Sequence, residues 1–425
     1  MNEDRNCHDS IQKCGIFGVS RIAAQIRSAS VIVHGPKGCV LPAYEASLTN
    51  PLSISYTEMC RETTVFGGED DVVYKIRMEY FTNNPEIIIL VTSCASEIIG
   101  DDIKGAVFGL DLDVPIITVE GGSFINDHVS GANIAMEKLA SELCDDAPEK
   151  SDIVNIIPPV EKYSGWKDDA VSIAALLGNF GVKTRILFCD TDVEEIRKYS
   201  SAALDLVINR EYGLKFAASM EERFGIPYIV CDYPIGLEYT DRLVSDVLAA
   251  LGRNSDETDT ERHRLINDTR QRFREGLGRV TTFRYLEDIK KLKKVIAADA
   301  ETALPVLNFL VNEFNDEVST VIIKANGEAE GLEERAKKIS PDTDVIITDD
   351  RHEIIEHISN GRYDVIIGSD TEHLAASGKY DFAYINIDYP WARKISFSKS
   401  GFACYDGLLY FTEVYYNKII DKFDF

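Results

Sequence analysis

The side chains best equipped for chemistry in this sequence are its cysteines: Cys7, Cys14, Cys39, Cys60, Cys94, Cys144, Cys189, Cys231 and Cys404. Their odd number, in a chain that reads as cytosolic, argues against a disulfide framework. No CxxC pair occurs, which excludes zinc ribbons and ferredoxin-type runs. A metal site must therefore gather its ligands from distant loops. Three thiols suit that. Cys39 ends the turn HGPKGC (34–39), which leaves the apolar run SVIV (30–33). Cys94 follows EIIILVTS (86–93) and opens ASEIIGDD, where Glu97 is expected to help cap a helix. Cys14 begins CGIFGVSRIAAQI, a helix start. Helix N-termini favour the thiolate, the form that binds metal. Three thiols on three such loops can hold a soft metal centre. Iron–sulfur clusters usually take four, so a second subunit would complete the site. Taken from spacing alone, buried thiols acting as small hydrophobes are the more frequent outcome.

The elements that would carry these loops are apolar runs bounded by turn residues. They fall in three groups: 30–33, 86–93 and 114–121; then 152–159, 184–190, 204–210 and 227–234; then 318–327, 344–350, 364–370 and 382–390. Each is rich in Val and Ile, and helical patterns lie between them. Near-continuous apolar strands alternating with helices predict an α/β fold of three Rossmann-like domains with mainly parallel sheets. The expected division is 1–150, 151–255, a helical connector over 256–295, and 296–425 with a terminal amphipathic helix.

The formal charge of −26 disfavours nucleic acid and anionic membranes. No apolar run is long enough to span a bilayer, and MNEDRNCHDS does not resemble a signal peptide, so a cytoplasmic location is expected. No GxxxxGK[ST] is present, so ATP should not bind in that way.

HGPKGC, RETTVFGGEDD and TSCASEIIGDD occur in that order, with Cys14 upstream. Together they resemble the N-terminal domain of nitrogenase component 1 proteins. That family includes the nitrogenase subunits, the scaffold for molybdenum-cofactor assembly, the dark-operative protochlorophyllide reductase and other nitrogenase-like reductases. GGSFINDHVSGAN (121–133) and PIGLEYTDRLVSDV (234–247) resemble β-type segments, and GFACYDGLLYF (401–411) resembles the terminal GYxG block. The resemblance implies that Cys14, Cys39 and Cys94 hold one side of an iron–sulfur cluster shared between subunits. That cluster would be an [8Fe–7S] P-cluster or a simpler [4Fe–4S] cluster. It implies that Ser123 can ligate the oxidised cluster, and that Phe66 lies where an ATP-dependent [4Fe–4S] iron protein docks. The implied assembly is α2β2, with a sister α-type subunit.

The sequence also departs from the α-type pattern. No histidine lies in the terminal blocks, the last being His373, and neither Cys189 nor Cys231 can be placed on the α-type cofactor anchor. Cys404 stands where relatives carry the glycine of GYxG, and Cys60 matches no standard ligand. These points favour a β-type oxidoreductase subunit that relays electrons. The competing readings are a scaffold subunit for cofactor assembly and, fitting the fold but not the motif order, a periplasmic-binding-like sensor with incidental cysteines.

Overall fold

The computed structural model describes residues 14–48, 50–122, 127–146, 149–253, 256–277, 284–325, 330–391 and 398–423. Thirteen strands among them form three sheets. The first contains β1 (Ala29–His34), β2 (Ser53–Tyr56), β3 (Ile87–Thr92) and β4 (Ile116–Glu120), in the order β2-β1-β3-β4. The second contains β5 (Ile153–Ile157), β6 (Lys183–Ile186), β7 (Leu204–Val207) and β8 (Tyr228–Val230), in the order β6-β5-β7-β8. The third contains β9 (Lys294–Ala298), β10 (Thr320–Ile323), β11 (Asp344–Ile347), β12 (Val365–Gly368) and β13 (Ala383–Asn386), in the order β11-β10-β9-β12-β13. Pairings in the first and third sheets are parallel, as is that of β5 with β7 in the second. The expected α/β class with a C-terminal helix, Cys404–Phe423, is found.

The chain divides into two compact units, Met1–Val160 with Arg185–Tyr228, and Glu161–Thr184 with Ile229–Phe425. In the first unit every residue of β1 and β3 is buried, as continuous Val and Ile runs covered on both faces should be. Ile32, Ile88 and Leu90 pack there with Val72 and Ile76 of the helix Glu69–Asn83. In the second unit a matching core joins Val295, Ala297, Ile322 and Ile366 to Ile354 and Ile358. Segments leaving strands of the third sheet carry paired charges. Lys324 lies 3.1 Å from Glu372 and 3.0 Å from Asp388, while Lys162 pairs with Asp299.

Two strands lie outside the apolar runs read as strands. β2 is only SISY, at the edge of its sheet. β9 begins in the charged stretch read as surface helix, yet it is the central strand of the third sheet. Lys294 opens it, fully buried. Its ammonium donates to the Ile289, Lys290 and Leu292 carbonyls and sits 3.0 Å from Asp316.

Candidate metal centre

β1 and β3 are neighbours and end together, His34 opposite Thr92. The segments that follow them therefore start side by side. After β1, Gly35 and Pro36 lead into a tight 3-10 turn, Lys37–Val40, which holds Cys39. After β3, Ser93 caps the helix Cys94–Ile99 by accepting from the Ser96 N–H, so Cys94 is the first helical residue. The two segments touch at Gly35, where a side-chain carbon would lie 2.7 Å from Ser93 Cβ and 3.7 Å from Cys39 Cβ. Only glycine fits that approach.

Cys14 arrives from a different direction. It is the N-cap of the helix Gly15–Ala23, and its backbone forms an antiparallel bridge with Asp127, the N-cap of the helix His128–Leu143. The two helices cross on glycines: a carbon on Gly18 would lie 2.7 Å from the Ala132 nitrogen.

All three thiols are partly exposed. Burial pushes the Cys14 thiol above its ordinary value. The nearby Phe17 and Ile16 N–H groups at the helix start pull it down, and the charge of Cys94 pushes it up again. Burial raises Cys39 as well, followed by the charges of Cys14 and of Cys94. Cys14 and Cys39 thus lie close enough to Cys94 to feel its charge, and the three come from three separate segments. Among the described residues no group of three Cys, His, Asp or Glu side chains could hold a single metal ion. The donors themselves are soft thiols, the set an iron–sulfur cluster uses, and one short of four.

Glu97 does not cap its helix, which Ser93 does. Its carboxylate accepts from the Thr92 hydroxyl (2.6 Å) and the Gly122 N–H (2.9 Å), fastening the segment after β4 to the end of β3. Ser123, one residue further on, lies outside the described residues. Phe66 ends the helix Arg61–Phe66, which has no buried residue and touches the helix that begins at Cys94. Phe66 is 86 % exposed, and Val65, Ile98 and Phe108 are also exposed. Of the acidic run after VFGG, Glu69 turns inward to accept from the Asp102 N–H, 3.1 Å away.

The remaining described cysteines are dispersed. Cys60 is exposed and caps the Phe66 helix, with its sulfur 3.0 Å from Glu62. Cys144 donates to the Ile196 carbonyl, and Cys231 is buried. Burial pushes both thiols up to about 12. Cys189 is partly exposed. Cys404 is buried with φ of +67°, a left-handed conformation that favours glycine. Its place at the glycine of GYxG thus has a backbone counterpart.

Sequence reasoning passed over His34, the first residue of HGPKGC. Its ring is buried between Asp101 (Nε2 to Oδ2, 2.8 Å) and Thr57 (Nδ1 to Oγ1, 3.0 Å). The signal available was a histidine at a strand end together with the Asp pair of IGDD.

The three parallel sheets define a fold shared with nitrogenase component proteins. The solved structure of nitrogenase Cp1 at pH 6.5 matches with a TM-score of 0.77 at 18 % identity, over 97 % of this chain and 93 % of that one. Residues 14–420 match the family described as nitrogenase component 1 type oxidoreductase, and the chain belongs to that family. It is 22 % identical to the nitrogenase molybdenum-iron protein beta chain of Methanococcus maripaludis, across 97 % of this chain and 94 % of that one. It is 23 % identical to the nitrogenase molybdenum-iron protein beta chain of Methanothermobacter marburgensis, across 93 % of this chain and 90 % of that one. A light-independent protochlorophyllide reductase polypeptide of Nostoc punctiforme is 22 % identical, across 84 % of this chain and 72 % of that one.

Proposed function

We propose that this chain is the β-type electron-relay subunit of a nitrogenase or nitrogenase-like reductase. Cys14, Cys39 and Cys94 would hold one side of an iron–sulfur cluster, and a sister α-type subunit would supply the other. The carrying observation is geometric: Cys39 and Cys94 stand, partly exposed, on the segments that leave the adjoining ends of β1 and β3, and Cys14 caps the helix whose Ile16 meets Gly121 beside Thr92. Their partial exposure and the exposed apolar side chains Val65, Phe66 and Ile98 suit a site closed by another protein.

The cluster, [4Fe–4S] or [8Fe–7S], would supply single-electron relay. The protein's own part is to set three sulfurs on rigid strand ends and helix starts. It also places Cys14 at the N-terminus of the helix Gly15–Ala23, where nearby backbone N–H groups favour the thiolate, and hydrogen bonds to sulfur are a lever on cluster potential. Phe66 would seat an ATP-dependent iron protein that delivers the electrons. Ser123 would ligate only the oxidised cluster.

The test is an EPR spectrum of the complex purified without oxygen, followed by turnover with iron protein and ATP. A cluster signal that bleaches and returns as substrate is reduced supports the relay. A cluster-bearing complex that reduces nothing and instead hands iron to an apo-enzyme identifies an assembly scaffold.

A further inference from the structure

We propose that His34 is a positioning residue that couples the docking segment ending in Phe66 to the loops bearing Cys39 and Cys94. This inference rests on the function proposed above.

The helix Arg61–Phe66 buries none of its residues, so its position is set by what holds its two ends. Upstream, the Met59 N–H donates to the Gly35 carbonyl (3.2 Å), next to His34. Thr57 binds both the His34 ring and the Gly35 N–H (3.2 Å) through one hydroxyl. Downstream, Gly68 lies against the imidazole. A side-chain carbon there would be 2.7 Å from His34 Cε1 and 3.2 Å from Asp101 Oδ2. Both ends of the exposed helix therefore bear on the same ring.

His34 in turn holds both thiol segments, through its carbonyl and through its ring. The His34 carbonyl accepts from the Ser93 N–H (3.1 Å) and the Ser96 hydroxyl (3.1 Å), which flank Cys94. Asp101, the partner of Nε2, follows the helix that Cys94 begins. Gly35, joined to the ring through Thr57, starts the turn that ends at Cys39. Nε2–H donates to the Asp101 carboxylate and Nδ1 accepts from the Thr57 hydroxyl, whose oxygen accepts from Gly35. Both ring nitrogens and the Thr57 hydroxyl are thereby used. Each of these groups is almost fully enclosed, so none can shift alone in a close-packed interior. A partner that presses on Phe66 moves Gly68 against His34, and the imidazole carries that displacement to the two cysteine loops.

The test uses the complex with its sister subunit. The cluster's midpoint potential and EPR spectrum are recorded with and without iron protein bound to a non-hydrolysable ATP analogue. The wild type shows a partner-dependent shift. His34→Leu retains iron but loses the shift, with single-turnover electron transfer slowed about tenfold. His34→Gln, which keeps a donor toward Asp101, restores both. Gly68→Ala, whose methyl meets the ring, alters the spectrum before any partner is added, and carries the test if His34→Leu does not fold. A full wild-type shift in His34→Leu, or an unchanged spectrum in a folded Gly68→Ala, overturns the coupling. A wild-type complex with no iron–sulfur signal refutes the proposed function itself, a distinct outcome.

Discussion

Gly131 rests directly on Gly15: a side-chain carbon on Gly131 would lie 2.6 Å from the Gly15 Cα. Gly15 follows Cys14, so this backbone-to-backbone contact sets where one of the three thiols stands. Gly131→Ala must push the two helices apart, at about 1–3 kcal/mol of stability. Iron retained by the assembled complex should fall with it, while folding persists. Metal analysis beside a melting curve checks this. Normal iron content in a destabilised variant would show that the Gly15 contact does not place the ligand.

The thiols themselves should divide into two classes. Cys14→Ala, Cys39→Ala and Cys94→Ala should each abolish or degrade the cluster signal. Cys144→Ala and Cys231→Ala should keep it, because those thiols are buried elsewhere. Ser123→Ala should change only the oxidised spectrum. An intact spectrum in Cys94→Ala would remove that residue from the ligand set.

Phe66→Ala removes an exposed ring and should leave the cluster spectrum and the stability unchanged. As an interface anchor it should weaken iron-protein binding by about 2 kcal/mol. The concentration of iron protein needed for half-maximal reduction should rise by more than tenfold. An unaltered concentration dependence would move the docking site elsewhere.

Asp205 gives a pH prediction. It is buried in β7, with one oxygen accepting from Asn155 and the other without a hydrogen-bond partner among the described residues. Burial pushes its carboxyl up to about 7. An unfolded aspartate titrates near about 4. Between these values the folded chain holds a proton that the unfolded chain has released, so stability falls as pH rises through the window and levels off above it. Asp205→Asn carries no such proton. Its melting temperature should gain on the wild type steadily from pH 4 to about 7, and a constant difference would contradict the assignment.

Lys324 sits between Glu372 and Asp388 in the second unit. Lys324→Met removes the cation between these two buried carboxylates, at about 3–5 kcal/mol. Adding Glu372→Gln and Asp388→Asn should recover most of that loss. A single variant as stable as wild type would show that the network contributes nothing.

Residue type made much of this legible. The Val- and Ile-rich strands and the three thiol positions announce themselves because hydrophobicity and sulfur are local properties. β9 was hidden because its first residue, Lys294, is a cation buried by carbonyls that only the folded backbone brings together. His34 was hidden because Thr57, Gly68 and Asp101 reach it from distant parts of the chain. Glu97 reads as a cap because helix-start statistics cannot see Gly122 across the sheet.

The central claim, that these thiols grip a cluster at a seam between chains, is tested most directly by iron content. The chain is purified without oxygen, once alone and once with its α-type sister. The account predicts tightly held iron and sulfide in the complex and their loss from the isolated chain. An iron-free complex, or an isolated chain that keeps its full complement, would contradict it.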